Sequence, residues 1–277
     1  MVAASRGFHM IVKHLLNAGA LIDIKDDDGN TALVNAAENG SYDVIKVLIS
    51  HGANVNVMTI NNFTPLIIAS SHGYFDIVKL LVENGANVDL EHPDDITALM
   101  YASSGNYYNI ASYLIEKGSN VNLVHTFGGT SLLEVSAIVS WTNETILIIT
   151  ELINAGADIN PVDNDGVTPL IAASSTGNIP AINLFIEKGC NLNHRTNSGY
   201  SALHYAILGN HIEIIVKLLQ SNADVNIIVK ATNEYLENTD NNNNDNNNQD
   251  IKKQGMTPLL LAIESGNLSI VQSIIEN

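Results

Sequence analysis

The sequence predicts an all-α solenoid of stacked helix-turn-helix units joined by β-hairpin-like fingers, and two recurring series of residues are the reason. A Thr or Ser that opens a Thr-(Ala/Pro)-Leu motif or a close variant recurs every 33 residues, apart from two longer steps, at Thr31, Thr64, Thr97, Thr130, Thr168, Ser201 and Thr257. The second series keeps the same interval apart from one step of 38 residues and consists of Gly19, Gly52, Gly85, Gly118, Gly156, Gly189 and Asn222. A fixed period of this length is typical of chains in which stacked repeats bury apolar faces against their neighbours.

One repeat, residues 58–90, shows how local chemistry gives two helices. Thr64 is a good N-cap and Pro65 suits the first helical position, so the first helix begins there. Gly73 interrupts this helix, and Gly85 can adopt the positive φ angle that ends a second one. The second helix carries an apolar stripe of Ile77, Val78, Leu81 and Val82. The polar segment that follows has the turn chemistry of an extended finger.

The segments that carry the period resemble the ankyrin repeat, and they include Asp28-Gly29-Asn30-Thr31-Ala32-Leu33, Asn62-Phe63-Thr64-Pro65-Leu66 and His51-Gly52-Ala53-Asn54-Val55-Asn56. This resemblance covers nearly the whole chain. It implies repeats at about 1–24, 25–57, 58–90, 91–123, 124–161, 162–194, 195–227 and 251–277. Small residues allow the close stacking of one uninterrupted solenoid, and they are Ala36, Ala37, Ala69, Ala102 and Ala206.

Three places depart from the repeat. In the repeat at 124–161, Val135 replaces a small Ala and a longer connection contains Trp141, which either packs over that loop or forms a binding hot spot. The Asn-rich insertion at 228–254 has few apolar residues, so we expect a disordered loop that is either prone to interactions or a tolerated expansion. At the C-terminal end we expect only half of the apolar surface to be covered at Ile270, Val271, Ile274 and Ile275. Such an end would fit either a piece of a longer array or a chain with a partner there.

Composition narrows the classes of partner. The chain has 12 Lys and Arg against 29 Asp and Glu, a formal charge of −17, which disfavours nucleic acids and anionic membranes because these are bound by clustered Lys and Arg. The apolar runs fall far short of the roughly 20 residues that a membrane span requires. The single cysteine, Cys190, cannot form an internal disulfide. Together with an N-terminus unlike a signal peptide, it predicts a reducing, intracellular and cytoplasmic location, without ruling out the nucleus.

The residue types that could support catalysis lie at positions that recur with the repeat. The nine histidines lack metal-ligand spacing, and a structural role is expected for His51, His72, His204 and His211. Cys190 fills a small-residue position, which predicts a buried and unreactive thiol. The glycines recur with the repeat rather than in a phosphate-binding loop. We therefore expect no enzyme activity, no cofactor, no metal ion and no small-molecule substrate.

The resemblance implies a protein-interaction scaffold or adaptor that binds partner proteins through its concave face and finger tips. It places the contact positions at Asp27, Asp28, Asn30, Glu38, Ile60, Asn61, Phe63, His72, Asp94, Ile96, Phe127, Asn164, Asp165, Val167, Ser198 and Tyr200. Many of these could instead be solvated loop residues. Exposed aromatic rings make good anchors, which favours Phe63, Phe127 and Tyr200.

Two further predictions concern the finger residues, and each has an alternative. Acidic finger tips predict a partner with a basic face, although Asp also stabilises turns through hydrogen bonds to its own backbone. The resemblance also makes four residues candidates for asparaginyl β-hydroxylation, with finger-pinning hydrogen bonds as the alternative role of Asn56, Asn122, Asn160 and Asn226. An alternative function for the chain is a regulatory or substrate-recruiting segment of a larger enzyme or channel.

Overall fold

A computed structural model describes residues 1–90, 94–230 and 253–276 of the chain. Within these ranges it contains sixteen α-helices and no β-strand. The contacts group the chain into two compact units, an N-terminal unit of Met1–Ser131 with Asn154–Gly156 and a C-terminal unit of Leu132–Ile153 with Ala157–Asn277. Most of the predicted insertion at 228–254 lies outside the described residues, so its disorder stays a prediction.

The N-terminal unit is a double row of short antiparallel helix pairs. Its helices are α1 (Val2–Ser5), α2 (His9–Asn17), α3 (Ala32–Glu38), α4 (Tyr42–Ser50), α5 (Pro65–Ser71), α6 (Phe75–Glu83), α7 (Ala98–Ser104) and α8 (Tyr108–Glu116). The odd-numbered helices pack side by side in one row, and the even-numbered helices form a second row behind them. Each pair therefore buries its apolar faces against the pairs on either side.

The C-terminal unit repeats this arrangement in its last six helices. Its helices are α9 (Ser131–Ser136), α10 (Asn143–Asn154), α11 (Pro169–Thr176), α12 (Ile179–Glu187), α13 (Ala202–Leu208), α14 (Ile212–Gln220), α15 (Pro258–Glu264) and α16 (Leu268–Glu276). Helix α13 packs between α11 and α15, while α14 packs between α12 and α16. The longer connection predicted between α9 and α10 is present at residues 137–142, where Trp141 is half-buried.

Local chemistry sets the helix ends as the sequence predicts. The Thr64 hydroxyl accepts a hydrogen bond from the Ile67 amide at 3.1 Å, and Pro65 occupies the first helical position. Equivalent caps begin the helices after Thr31, Thr97, Thr168 and Thr257. Gly73 and Gly85 follow the two helices of that repeat with φ angles of +75° and +89°. These caps confirm the predicted helix pair.

Burial confirms the stacking residues and corrects the expectation for the last helix. All five predicted small residues have no exposed surface. Ile270 and Ile274, expected to be half covered, are 0% and 7% exposed, because residues four apart share one helix face and this face of α16 packs on α14 and α15. Ile275 points to the other side and is 68% exposed. None of the described helices is long and apolar enough to cross a bilayer.

Candidate functional site

The finger tips are tight turns that are closed by side chains. The Asp26 carboxylate accepts hydrogen bonds from the amides of Asp28 at 3.1 Å and Asn30 at 2.8 Å, and Asp163 makes the equivalent pair in a later finger. In another finger the Thr59 hydroxyl replaces the carboxylate. Part of the acidity of the fingers thus has the turn-stabilising role that was one of the two alternatives.

Neighbouring fingers within each unit are joined by backbone hydrogen bonds. The Ile60 amide donates to the Asp28 carbonyl at 3.1 Å in the N-terminal unit, and the Asn197 amide donates to the Asp165 carbonyl at 2.9 Å in the C-terminal unit. Gly29 permits the first of these contacts: its φ angle is +76°, and an added Cβ would lie 2.7 Å from the Ile60 nitrogen. The fingers of each unit therefore form a row of fixed spacing.

Asparagine side chains join the bases of successive fingers. Asn56 donates from Nδ2 to the Gly85 carbonyl at 3.0 Å and accepts from the Asn87 amide at 2.8 Å. Asn122 donates to the Gly156 carbonyl at 3.0 Å. Asn160, in the C-terminal unit, accepts from the Asn191 amide at 2.8 Å. Three of the four candidates for hydroxylation thus have the alternative, finger-pinning role, and their modification stays a prediction.

A pocket of about 510 Å³ lies in the N-terminal unit between the fingers and the odd-numbered helices. Six of the sixteen predicted contact residues line it, namely Asp28, Asn30, Glu38, Asn61, Phe63 and His72. Asp28 and Glu38 are exposed, while Phe63 is half-buried with its ring centroid 6.4 Å from that of Tyr101. His72 is held by a 2.9 Å hydrogen bond from Nδ1 to the Ile68 carbonyl. The predicted contact residues thus supply six of the eleven residues that line this pocket.

The rest of the pocket lining was missed, and its chief member is Tyr101. Tyr101 and Ile68 each lie four residues after the capping Thr of their own helix, so the repeat register could have identified both. Burial, and next the negative charge of Asp94, raise the pKa of the Tyr101 hydroxyl above its usual value. The ring therefore stays neutral at physiological pH beside an acidic group.

The remaining predicted contact residues divide by exposure. At the finger tips the exposed ones are Asp27, Ile60, Phe127, Asn164 and Asp165, and the half-buried ones are Asp94, Ile96 and Val167. The Phe127 ring is 63% exposed, as expected for an anchor, and lies 5.8 Å from the His125 ring. These residues lie outside the pocket described above.

The structure corrects the predicted contact roles of Tyr200 and Ser198. Tyr200 was expected to be an exposed anchor, but it is only 2% exposed because its ring packs at 6.0 Å from His204 and 5.7 Å from Tyr205. Ser198 is 8% exposed, and its hydroxyl lies 2.9 Å from that of Thr196 inside the turn. Both residues stabilise the finger and cannot offer a free surface to a partner.

The histidine and cysteine with shifted pKa values have structural surroundings. His204 has no exposed surface, and its Nδ1 accepts from the Ser201 amide at 3.2 Å. Burial lowers the pKa of His204 to about 4 and raises the pKa of the Cys190 thiol to about 11. At neutral pH the imidazole is therefore uncharged and the thiol protonated, as suits buried packing positions.

Comparison with known proteins agrees with the fold and with the family resemblance. The crystal structure of the human ASB11 ankyrin repeat domain is similar with a TM-score of 0.68 and 25% sequence identity, covering 80% of this chain and 96% of that domain. "Ankyrin repeat and SAM domain-containing protein 6" of Rattus norvegicus is 37% identical over 73 residues, which are 26% of this chain and 8% of that protein. "Putative ankyrin repeat protein FPV031" of Fowlpox virus (strain NVSL) is 34% identical over 128 residues, 46% of this chain and 32% of that protein.

The chain thus aligns with less than a third of the length of either of these two relatives. The family model described as "Ankyrin repeats (3 copies)" matches residues 1–92, 61–125 and 137–229, which is well over half of the chain. The matched segments contain five residues of the capping Thr/Ser series, namely Thr31, Thr64, Thr97, Thr168 and Ser201, and most of the helix pairs described above. The chain belongs to the ankyrin repeat family.

Proposed function

We propose that this chain is a non-enzymatic protein-interaction scaffold or adaptor that binds partner proteins through the concave face and finger tips. Ankyrin repeats are general protein-interaction modules. The observation that supports this use here is the 510 Å³ pocket, in which six predicted contact residues meet.

Position-specific photo-crosslinking tests the proposal. A benzoylphenylalanine at the position of Asn61, which is exposed in the pocket, reports proteins bound there, and the same group at the position of Asp43 on α4 is the matched control. We expect mass spectrometry of cell lysate to find at least one protein crosslinked from position 61 and not from position 43. The same proteins from both positions, or none from position 61, would contradict the proposal.

Charge gives the proposed partner a second property. The chain has a formal charge of −17, and Asp27 and Asp28 are exposed at a finger tip, with Asp94 half-buried at another. A field of one sign speeds the approach of a partner of the opposite sign. The partner is therefore proposed to present a basic face, and no nucleic acid or membrane is proposed.

The triple substitution Asp27→Asn, Asp28→Asn and Asp94→Asn should slow association with the crosslinked partner several-fold at about 50 mM salt, because three charges are lost while turn preference is largely kept. Stopped-flow measurement should show the difference shrinking towards 300 mM salt as screening increases. The matched control removes three acidic charges from the even-numbered helices by Asp43→Asn, Asp76→Asn and Glu213→Gln. An association rate that is insensitive to salt, or equal in the two triples, would show that finger charge does not steer binding.

The second candidate function is a regulatory or substrate-recruiting segment of a larger enzyme or channel. The rat relative supports the coarser part of this candidate, that such repeats form part of a larger protein, because its name records a SAM domain and the matched segment is only 8% of it. In that case the same surface would recruit a substrate or hold a neighbouring domain. A crosslink from position 61 to another segment of the same polypeptide in the native full-length protein would support it.

A further inference from the structure

The pocket in the N-terminal unit combines two aromatic rings with two carboxylates. The Phe63 and Tyr101 rings stand 6.4 Å apart with 44° between their planes, so they form an angled wall. Val34 and Ile68 add apolar surface. Asp28 and Glu38 are exposed at the same pocket, and neither has an ion-pair partner in the described part of the chain.

Lysine and arginine are kept away from this pocket. Its lining contains no Lys or Arg, and neither do helices α3, α5 and α7, which form its base. The lysines of the helices in this unit lie on the second row, at Lys13, Lys46 and Lys79. Lys25 belongs to a finger, where its ammonium donates to the Met58 carbonyl at 2.8 Å. A cationic group that enters the pocket therefore meets carboxylates and rings without a lysine or arginine as competitor.

These features distinguish between the side chains that a partner could insert. An apolar side chain would use the rings but would bring nothing for the two carboxylates to bind. A lysine ammonium would pair with one carboxylate as a compact, strongly hydrated charge. A guanidinium is planar, stacks on aromatic faces and offers several donors to carboxylates, so it can use both kinds of wall together.

We propose that this pocket binds an arginine side chain presented by an extended basic segment of the partner protein. The inference rests on the proposed interaction function and adds the chemistry of the bound group. Asp28 and Glu38 accept hydrogen bonds from the guanidinium, and the Phe63 and Tyr101 rings pack against its plane. The Tyr101 hydroxyl is uncharged at neutral pH, so this residue contributes an aromatic face and no charge.

The probes are three fluorescein-labelled twelve-residue Gly/Ser peptides that carry three arginines, three lysines or three citrullines at the same positions. Citrulline keeps the shape of arginine and lacks its charge. Fluorescence anisotropy at physiological salt should give an arginine-peptide Kd about ten-fold below that of the citrulline peptide, as expected for a few exposed charge and cation–π contacts. The lysine peptide should bind with intermediate affinity.

Matched variants locate the binding. Asp28→Asn with Glu38→Gln should remove most of the arginine preference, whereas Asp43→Asn with Asp76→Asn, an equal charge change on α4 and α6, should leave it. Tyr101→Leu should weaken arginine binding more than lysine binding. Urea unfolding of each variant checks that the fold is retained, and the exposed carboxylate pair keeps the test valid if Tyr101→Leu does not fold.

Three results would overturn the inference. These are equal affinity for the arginine and citrulline peptides, equal losses in the two double variants, and no measurable binding of any peptide up to millimolar concentration. None of these results would contradict the binding of a partner that has been crosslinked from position 61. Failure of the arginine site and failure of the interaction function are therefore separate outcomes.

Discussion

Phe185→Ala is expected to destabilise the C-terminal unit by about 3–5 kcal/mol, the usual cost of truncating a fully buried aromatic side chain. Phe185 lies on α12 with no exposed surface and is among the largest fully buried side chains of the described residues. Helix α12 packs against both α11 and α14, so the cavity would open inside the double row of helices. Stacked repeats share their stability with their neighbours, so the loss should spread beyond one repeat.

The repeat itself supplies the control for this substitution. Aliphatic residues occupy the position of Phe185 in the seven other repeats, at Leu15, Leu48, Leu81, Leu114, Leu152, Leu218 and Ile274. Phe185→Leu should therefore cost no more than about 2 kcal/mol, because a smaller volume is removed and the replacement suits the position. Urea unfolding followed by circular dichroism, and by the emission of the single tryptophan, Trp141, measures both. Equal, small losses would show that α12 is not part of a tightly packed core.

The elements that follow from local chemistry were predictable from the sequence. The interactions of Thr64, Pro65 and Gly85 involve only residues close to them in sequence. Their roles as cap, first helical residue and terminator therefore depend little on the rest of the chain. The period of 33 residues then copies one correct assignment along the chain. For this reason the two helices predicted for one repeat also predict the helix pairs of the others.

Exposure was less predictable because it depends on the neighbouring repeat. Phe63 and Tyr200 occupy the same register, one residue before the helix cap, yet Phe63 lines an open pocket and Tyr200 is 2% exposed. The difference comes from the adjacent side chains, since Tyr200 packs on His204 and Tyr205 while the Phe63 ring lies beside that of Tyr101 in the wall of the pocket. Register identifies which residues are finger residues, and three-dimensional neighbours decide which of them a partner can reach.

The candidate pocket was only half predicted for a related reason. Its lining comes from three successive repeats, with Asp28 and Glu38 in one, Phe63 and His72 in the next, and Tyr101 in the third. The selected positions followed the fingers and the ends of the odd-numbered helices, which left out the middle of α7. A helical period counted from each capping Thr places position four on the same face as position seven or eight, and this would have included Tyr101.

His204 is expected to make the protein less stable as the pH falls from about 6.5 to 4. Its ring has no exposed surface, and burial lowers its pKa from 6.5 to about 4, against the opposing effect of the Met256 and Ile227 carbonyls. The unfolded chain therefore binds a proton in this window that the folded chain does not. Stability from the neutral ring is complete above pH 6.5 and is lost as the pH falls to the folded pKa, by about 3 kcal/mol at pH 4.

The other repeats show which substitution removes this dependence. Ile67 and Ile171 occupy the register of His204 in the helices that follow Thr64 and Thr168, and both are buried. His204→Ile should cost about 1 kcal/mol at pH 7, because the Ser201 amide loses the acceptor that it has at 3.2 Å. At pH 4 the order of stability should reverse, because the variant has no buried imidazole to protonate.

Urea unfolding at pH 7, 6, 5 and 4 distinguishes this effect from the general response of the acidic chain. Protonation of carboxylates affects both proteins, so the difference between wild type and His204→Ile isolates the imidazole. A difference that changes sign between pH 6.5 and 4 would place the titration at His204. A constant difference would mean that His204 has the same pKa in the folded and the unfolded chain. The packing of Tyr200 and Ser201 around the ring would then have to tolerate its charge.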